Sequence, residues 1–418
     1  MFLRTARILL LLLVFSLCYI QPFAVVFNFQ VPPTEFIFIF TAFFWLLALI
    51  SKQTRFRFHV FFWLLFFYFA AMLISAILSD DWRTSFIKLA GEIYLLSLPI
   101  LIYNLIENQN ELKKAILIWL YATALIAVFG VFTLALFYLD REHWLLNYTV
   151  GGFGAIPVGN YPRLRLNFLS PSLLCNYLSV GFALALAAAK SGWIKKKFAA
   201  IFVWLIFLIA VFTVSSGLGG FALILGLWIF YLHRLENKSL AVLSLSGGIL
   251  IALLFWWLNF VALQAHSTAP YAFNFLGYEF YPSPRLLIWQ QSWQTFSNNF
   301  FFGRGVGQDS CAVVFQNTDG SFATLTDAHN VFLSVVSQEG IFGFAAIVLI
   351  IFYLVKNNAT AIYSSDKSSI IAAGLLIAFV SAFVYQGLVG SFEDARHLWV
   401  LIGLMLCAEK IYLAHRSQ

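Results

Sequence analysis

The sequence predicts an all-α polytopic integral membrane protein of about twelve transmembrane helices, with a large outer loop that contains short helices. Composition is the first reason. The 418 residues are 62% hydrophobic and only 10% charged, against roughly 45–50% and about 25% in a soluble domain. Length is the second, because the apolar runs recur at the roughly 20 residues that cross about 30 Å of hydrocarbon. The third is the absence of the alternating apolar and polar positions of a membrane β-strand. Together these exclude soluble, disordered, collagen-like and disulfide-scaffold classes.

The runs fall near residues 6–20, 35–50, 58–78, 85–104, 113–139, 168–189, 198–214, 218–233, 239–263, 330–355, 369–390 and 397–413. The first follows Arg4 and Arg7 like a signal peptide, but no small-residue cleavage site precedes Gln21 and Pro22, so it reads as an uncleaved helix. The plan is five helices in 1–139, an outer loop at 140–167, four helices in 168–263, a large outer loop at 264–329 and three helices in 330–418.

Orientation follows from the basic residues, which cytoplasmic loops accumulate. With the amino terminus inside, 17 of the 25 basic residues, including eleven of the twelve lysines, fall on inner loops. The outer side keeps Arg83, Lys88, Arg141, Arg163, Arg165, Arg285, Arg304 and Arg396, a set almost purely of arginine. Both termini then lie in the cytoplasm. A formal charge of +7 scattered this way forms no basic stripe for nucleic acid. Cys18, Cys175, Cys311 and Cys407 are far apart and suggest neither a zinc site nor a disulfide framework.

The two outer loops are long enough to carry function. The first is rich in glycine and proline (Gly151, Gly152, Gly154, Pro157, Gly159, Pro162) and delivers Arg163 and Arg165 to the mouth of the sixth helix. In the second, Pro284 suits the first turn of a short amphipathic helix after Ser283 as cap, and Arg285, Trp289 and Trp293 share one stripe. Gly303-Arg304-Gly305-Val306-Gly307 follows, with glycines that allow backbone N–H groups to turn toward an anion; no P-loop lysine accompanies it. The loop closes on Asp327-Ala328-His329-Asn330, where Asp327 reads as an N-cap that puts His329 and Asn330 in the first helical turn. Gly340 and Gly343 then allow that helix to bend or a neighbour to approach closely.

The spacing from His329-Asn330 to Gly340 and Gly343, preceded by Pro284-Arg285, Trp289 and the 303–307 glycine run, resembles the O-antigen ligase and O-antigen polymerase superfamily. The segment from Arg163 to Tyr177 and Asp394-Ala395-Arg396 before Trp399 are similar to that family as well. The resemblance implies a twelve-helix, metal-independent glycosyltransferase without cofactors. Its donor is a glycan on an undecaprenyl diphosphate carrier, and its active site faces the periplasm from the bacterial inner membrane. The acceptor is lipid A core in a ligase, a carrier-linked glycan in a polymerase, or a serine or threonine in a protein O-oligosaccharyltransferase; the His, Gly, Gly spacing leans toward ligases. One departure is plain: the family arginine in the turn before the eighth helix is absent from Ser215-Ser216-Gly217-Leu218-Gly219-Gly220, and Arg163 or Arg165 are its candidate substitutes.

A diphosphate is already a good leaving group and needs charge neutralisation, which guanidinium groups provide bidentately. A sugar hydroxyl needs a base, and an imidazole near its reference pKa of about 6.5 serves. His329 is therefore the expected general base and Arg285 its catalytic partner, in a direct displacement with inversion. Arg285 and Arg304 are the preferred diphosphate ligands, Arg163, Arg165 and Lys88 the second choices, and Asn330, Trp289 and Glu339 candidate substrate contacts. Lys88 also reads as an internal pair with Glu92 one turn away. A transporter or lipid flippase is the rival class, but such proteins gather ionisable groups at the midplane and carry repeats.

Overall fold

The computed structural model describes residues 1–21, 24–26, 29–154, 161–214, 216–257, 261–263, 273–275, 278–282, 285–316, 322–364, 367–389 and 395–416. Its helices are α1 (Phe2–Ser16), α2 (Pro33–Ile50), α3 (Phe61–Leu78), α4 (Trp82–Leu105), α5 (Gln109–Leu139), α6 (Leu146–Thr149), α7 (Pro171–Lys190), α8 (Lys196–Val211), α9 (Gly217–His233), α10 (Lys238–Trp257), α11 (Arg285–Asn298), α12 (Val331–Ile362), α13 (Lys367–Val389) and α14 (Arg396–Arg416). Each of the twelve apolar runs coincides with a helix. Among the described residues, eight helices are long and apolar enough to cross a membrane: α2 to α5, α7, α10, α12 and α13. The other four are marginal for physical reasons. α1, α8 and α9 have 15, 16 and 17 residues, too few for about 30 Å at roughly 1.5 Å per residue, and α14 carries Arg396, His397, Glu409 and Lys410.

Local sequence sets the helix starts. Ser170 accepts from the Leu173 N–H at 3.2 Å with Pro171 in the first turn of α7, and Asn108 accepts from the Glu111 N–H at 3.1 Å at the start of α5. Burial sorts the bundle into layers. The windows of α7 and α13 are 83% and 89% buried, whereas α2 and α10 bury only 17% and 22% and face outward. At the centre, Asn176 on α7 donates to Gln386 on α13 at 2.8 Å and stands 3.0 Å from His397 on α14, so three core helices share one polar knot. Arg396, the first residue of α14, pairs with Glu35 at the start of α2 at 2.5 Å.

The connections are not purely irregular or helical, as the all-α reading expected. They contain β1 (Ala24–Val26), β2 (Phe29–Val31), β3 (Val150–Gly154), β4 (Tyr161–Leu164), β5 (Val261–Leu263), β6 (Phe273–Phe275), β7 (Tyr278–Pro282), β8 (Val313–Gln316) and β9 (Phe322–Leu325), paired antiparallel as β1–β2, β3–β4, β5–β7–β6 and β8–β9. Backbone N–H and C=O groups in long loops need partners, and short hairpins provide them. One boundary moves for this reason: the ninth run was expected to continue to residue 263, but α10 ends at Trp257 and 261–263 pair with β7. All four cysteines are buried and free.

Candidate active site

Two of the long connections meet at one mouth of the bundle. β4 lies against the turn that ends α8: the Leu164 N–H donates to the Phe212 carbonyl at 2.7 Å, and Arg163 Nε donates to the Thr213 carbonyl at 3.3 Å. From the other side comes α11, which buries Ile288, Ser292 and Phe296 at four-residue spacing. Trp293, expected on the working stripe with Arg285 and Trp289, is instead 56% exposed. Trp289 turns inward, and its indole N–H donates to the Ala328 carbonyl at 3.1 Å, tying α11 to the residue before His329. Ser283 and Pro284, the expected cap and first-turn residues of this helix, lie outside the described residues.

The approach to α12 differs from the sequence expectation. The N-cap is Asn330, whose Oδ1 accepts from the N–H groups of Phe332 and Leu333 at 3.0 and 3.1 Å. Asp327 serves His329 instead: its Oδ1 accepts from the His329 N–H at 3.1 Å, and its Oδ2 lies 3.4 Å from Nδ1 of the ring. His329 sits before the helix with a φ of 47°, in the left-handed region that non-glycine residues seldom occupy. The Asp-x-His spacing that makes this tight turn was present in the sequence, but capping statistics favoured the other use of the carboxylate.

The charges at this mouth sense one another. Burial pushes the His329 pKa below its usual value; Asp327 opposes that shift, and the positive charge of Arg285 adds to it. Burial also lowers Arg285; the nearby Tyr385 opposes the shift, while Arg163 repels it and Asp327 favours its charge. Arg163 is lowered by burial as well, against Tyr385 and Tyr161. Two arginines, a histidine and its carboxylate thus share one electrostatic neighbourhood beside Tyr385 on α13.

The remaining expected residues are placed elsewhere. Arg165 points back along the first loop, donating to the carbonyls of Tyr148 and Asn147 at 3.0 and 2.9 Å. Lys88 reaches Glu92 at 3.9 Å, the internal pair weighed from the sequence, and its stem packs on Gly307, where an added Cβ would come within 2.7 Å of Lys88 Cβ. Glu339 is buried and accepts from the Tyr68 hydroxyl at 3.1 Å. Arg304 is exposed.

The glycine run does not offer its amides to an anion. α12 breaks at Gly340, whose φ of 69° and ψ of −164° are non-helical, and the run fills the break. The N–H groups of Arg304 and Gly305 donate to the Ser337 and Gln338 carbonyls at 2.9 and 3.0 Å, Gly307 N–H donates to Gln338 Oε1 at 2.8 Å, and Ile341 N–H returns to the Phe300 carbonyl at 2.9 Å. The run supplies the hydrogen bonds that a broken helix loses. Contact is close enough to require glycine on both sides. A Cβ at Gly303 would lie 2.2 Å from the Gln338 carbonyl carbon, and one at Gly340 would lie 2.3 Å from the Phe301 oxygen.

Residues 200–348, from α8 through the break in α12, match the family model described as O-antigen ligase. That segment is similar to the O-antigen ligase and polymerase superfamily, and the match supports the resemblance read from the motifs. Such a match suggests an O-antigen ligase- or polymerase-like membrane glycosyltransferase. No curated protein sequence matches the chain. The ligase-like segment holds Arg285, the glycine run, His329 and Gly340, while Arg163, Arg165 and Lys88 lie before it. Within it residues 215–220 lack the arginine that the family resemblance expects, and Arg163 reaches Thr213, just before them, from β4; Ser215 itself lies outside the described residues. Among those residues, no three His, Cys, Asp or Glu side chains group as a metal site would require.

Proposed function

We propose that the protein transfers a glycan from an undecaprenyl diphosphate carrier to an acceptor hydroxyl at the periplasmic face of the inner membrane, and that lipid A core is the acceptor. The observation that carries this reading is the convergence of Arg163 and Arg285 beside a histidine held by Asp327. Two half-buried guanidiniums hold a diphosphate more strongly than they would at an open surface.

In this reading, Arg285 and Arg163 neutralise the diphosphate as it leaves, with Arg163 in place of the missing family arginine. Asp327 draws the ring proton to Nδ1 of His329, so Nε2 is left as the base. The acceptor oxygen bonds to the anomeric carbon as its proton passes to Nε2, and the electron pair of the breaking C–O bond goes to the diphosphate. The sugar inverts. No step requires a metal or another cofactor. Asn330 holds the helix start behind His329 and Trp289 fixes the loop in front of it, while the buried Glu339 braces α12 through the Tyr68 hydroxyl. Arg304 and Lys88 take the outer positions along the donor's path, and Arg165 braces the first loop through the Tyr148 and Asn147 carbonyls.

The purified protein in detergent, given an undecaprenyl diphosphate-linked glycan and lipid A core, should form a single transfer product that is lost in His329→Ala. A ladder of carrier-linked chains would make the protein a polymerase. Full activity of His329→Ala would sink the base assignment.

A further inference from the structure

At the end of the bundle opposite His329 is a cavity that the glycosyl transfer does not use. It has a volume of about 320 Å³ and is lined by Arg4, Arg7 and Ile8 of α1, by Ile106 after α4, and by Glu111 and Lys114 of α5. Its position follows from the helices. α1 starts at this cavity and leads to Ile20, whose N–H donates to the Asn167 carbonyl at 3.0 Å, next to the segment that carries Arg163. α5 starts here too and ends at the first outer loop.

The charges in the cavity do not cancel. Arg7 absorbs both acidic neighbours, at 2.9 Å from Glu107 and 2.6 Å from Glu111, and Glu107 also pairs with Arg57. The second oxygen of Glu111 accepts from the Glu107 N–H at 2.6 Å. Arg4 and Lys114 are exposed, line the same cavity, and have no carboxylate partner among the described residues. The remaining wall is aliphatic and continues as a seam between α1 and α5. Ile8 and Leu12, four and eight residues along from Arg4, are 52% and 49% exposed. The seam closes where Phe15 meets Tyr121 at 6.3 Å. A cationic pocket opening into an apolar furrow matches an amphiphile with an anionic head.

We propose that this cavity seats the phosphate of an anionic membrane phospholipid between Arg4 and Lys114, with an acyl chain laid along the α1–α5 seam. Arg7, locked by its two glutamates, forms the floor and keeps the two outer cations apart. A free phosphate would satisfy the cations and leave the furrow unused.

Native mass spectrometry of the full chain in mild detergent tests this with phosphatidylglycerol, phosphatidylcholine and inorganic phosphate as separate probes. Wild type should retain one phosphatidylglycerol in preference to phosphatidylcholine, and Arg4→Ala/Lys114→Ala should weaken retention by about tenfold or more. Arg4→Lys/Lys114→Arg, which keeps both charges, should retain it, and that separates loss of the site from loss of the fold. Equal retention of phosphatidylcholine, or an unchanged alanine double variant, would overturn the proposal. Displacement of the lipid by millimolar inorganic phosphate would overturn it in favour of a soluble anion.

Discussion

The carboxylate of Asp327 holds His329 at two points, the backbone N–H at 3.1 Å and ring Nδ1 at 3.4 Å. The two charged neighbours of this ring act in opposite directions: Asp327 raises its proton affinity, and Arg285 together with burial lowers it. In the proposed mechanism the neutral form is the base, so activity should fall as pH drops through the His329 pKa, at a pH below that of an ordinary imidazole. Asp327→Asn should move that acidic limb to still lower pH, and Arg285→Gln should move it higher. The rate of His329 modification by diethyl pyrocarbonate against pH reads the same shifts without turnover. A limb that moved the same way in both variants would show that neither charge acts on the ring.

Arg163 and Arg165 are two residues apart and have different neighbours, the Thr213 carbonyl for one and those of Asn147 and Tyr148 for the other. Arg163→Lys and Arg285→Lys should each lose turnover by about 10²–10³-fold, the scale of losing one aimed charge-stabilising donor. Arg165→Lys should keep most turnover and lower thermal stability instead, because it loosens the loop without touching the donor. Steady-state kinetics on the three variants, with unfolding midpoints, checks the division.

Gly340→Ala should be severely destabilising. It would force a side chain into a φ of 69° and within 2.3 Å of the Phe301 oxygen. The cost is about 2–5 kcal/mol, from left-handed strain and overpacking combined. Gly91→Ala, where the added atom meets nothing within 4 Å, is the control, and the unfolding midpoint in detergent is the measurement.

Native cysteines make poor topology probes here, including Cys311, because all four are buried. Exposed Gln294 on α11 and Lys195 before α8 are better positions. With α11 in the periplasm, Gln294→Cys should react with a membrane-impermeant thiol reagent on intact spheroplasts, and Lys195→Cys only after permeabilisation. The reverse pattern would invert the orientation read from the lysines.

The helices were legible because hydrocarbon demands long apolar runs, and all twelve of those runs became helices. The hairpins were not, because three-residue strands such as β5 and β6 leave too short a pattern to read. Within the candidate site, motif and spacing single out His329 and Arg285, and the structure brings the two into one electrostatic neighbourhood. Asp327 was assigned to the wrong partner, since an aspartate two residues before a histidine and three before an N-cap satisfies either role locally. The glycines at 303, 305 and 307 looked like an anion cradle because φ above zero suits that use. What they fill is set by Gly340, more than thirty residues away, and no local window contains both.

Arg163 enters the site from β4, ahead of the ligase-like segment that supplies Arg285 and His329. On the proposed roles, the machinery is therefore not transplantable as one block. A chimaera that carried residues 200–348 into a relative's scaffold would import a turn without its arginine and leave the substitute behind, whereas moving β4 together with that segment would carry the complete set.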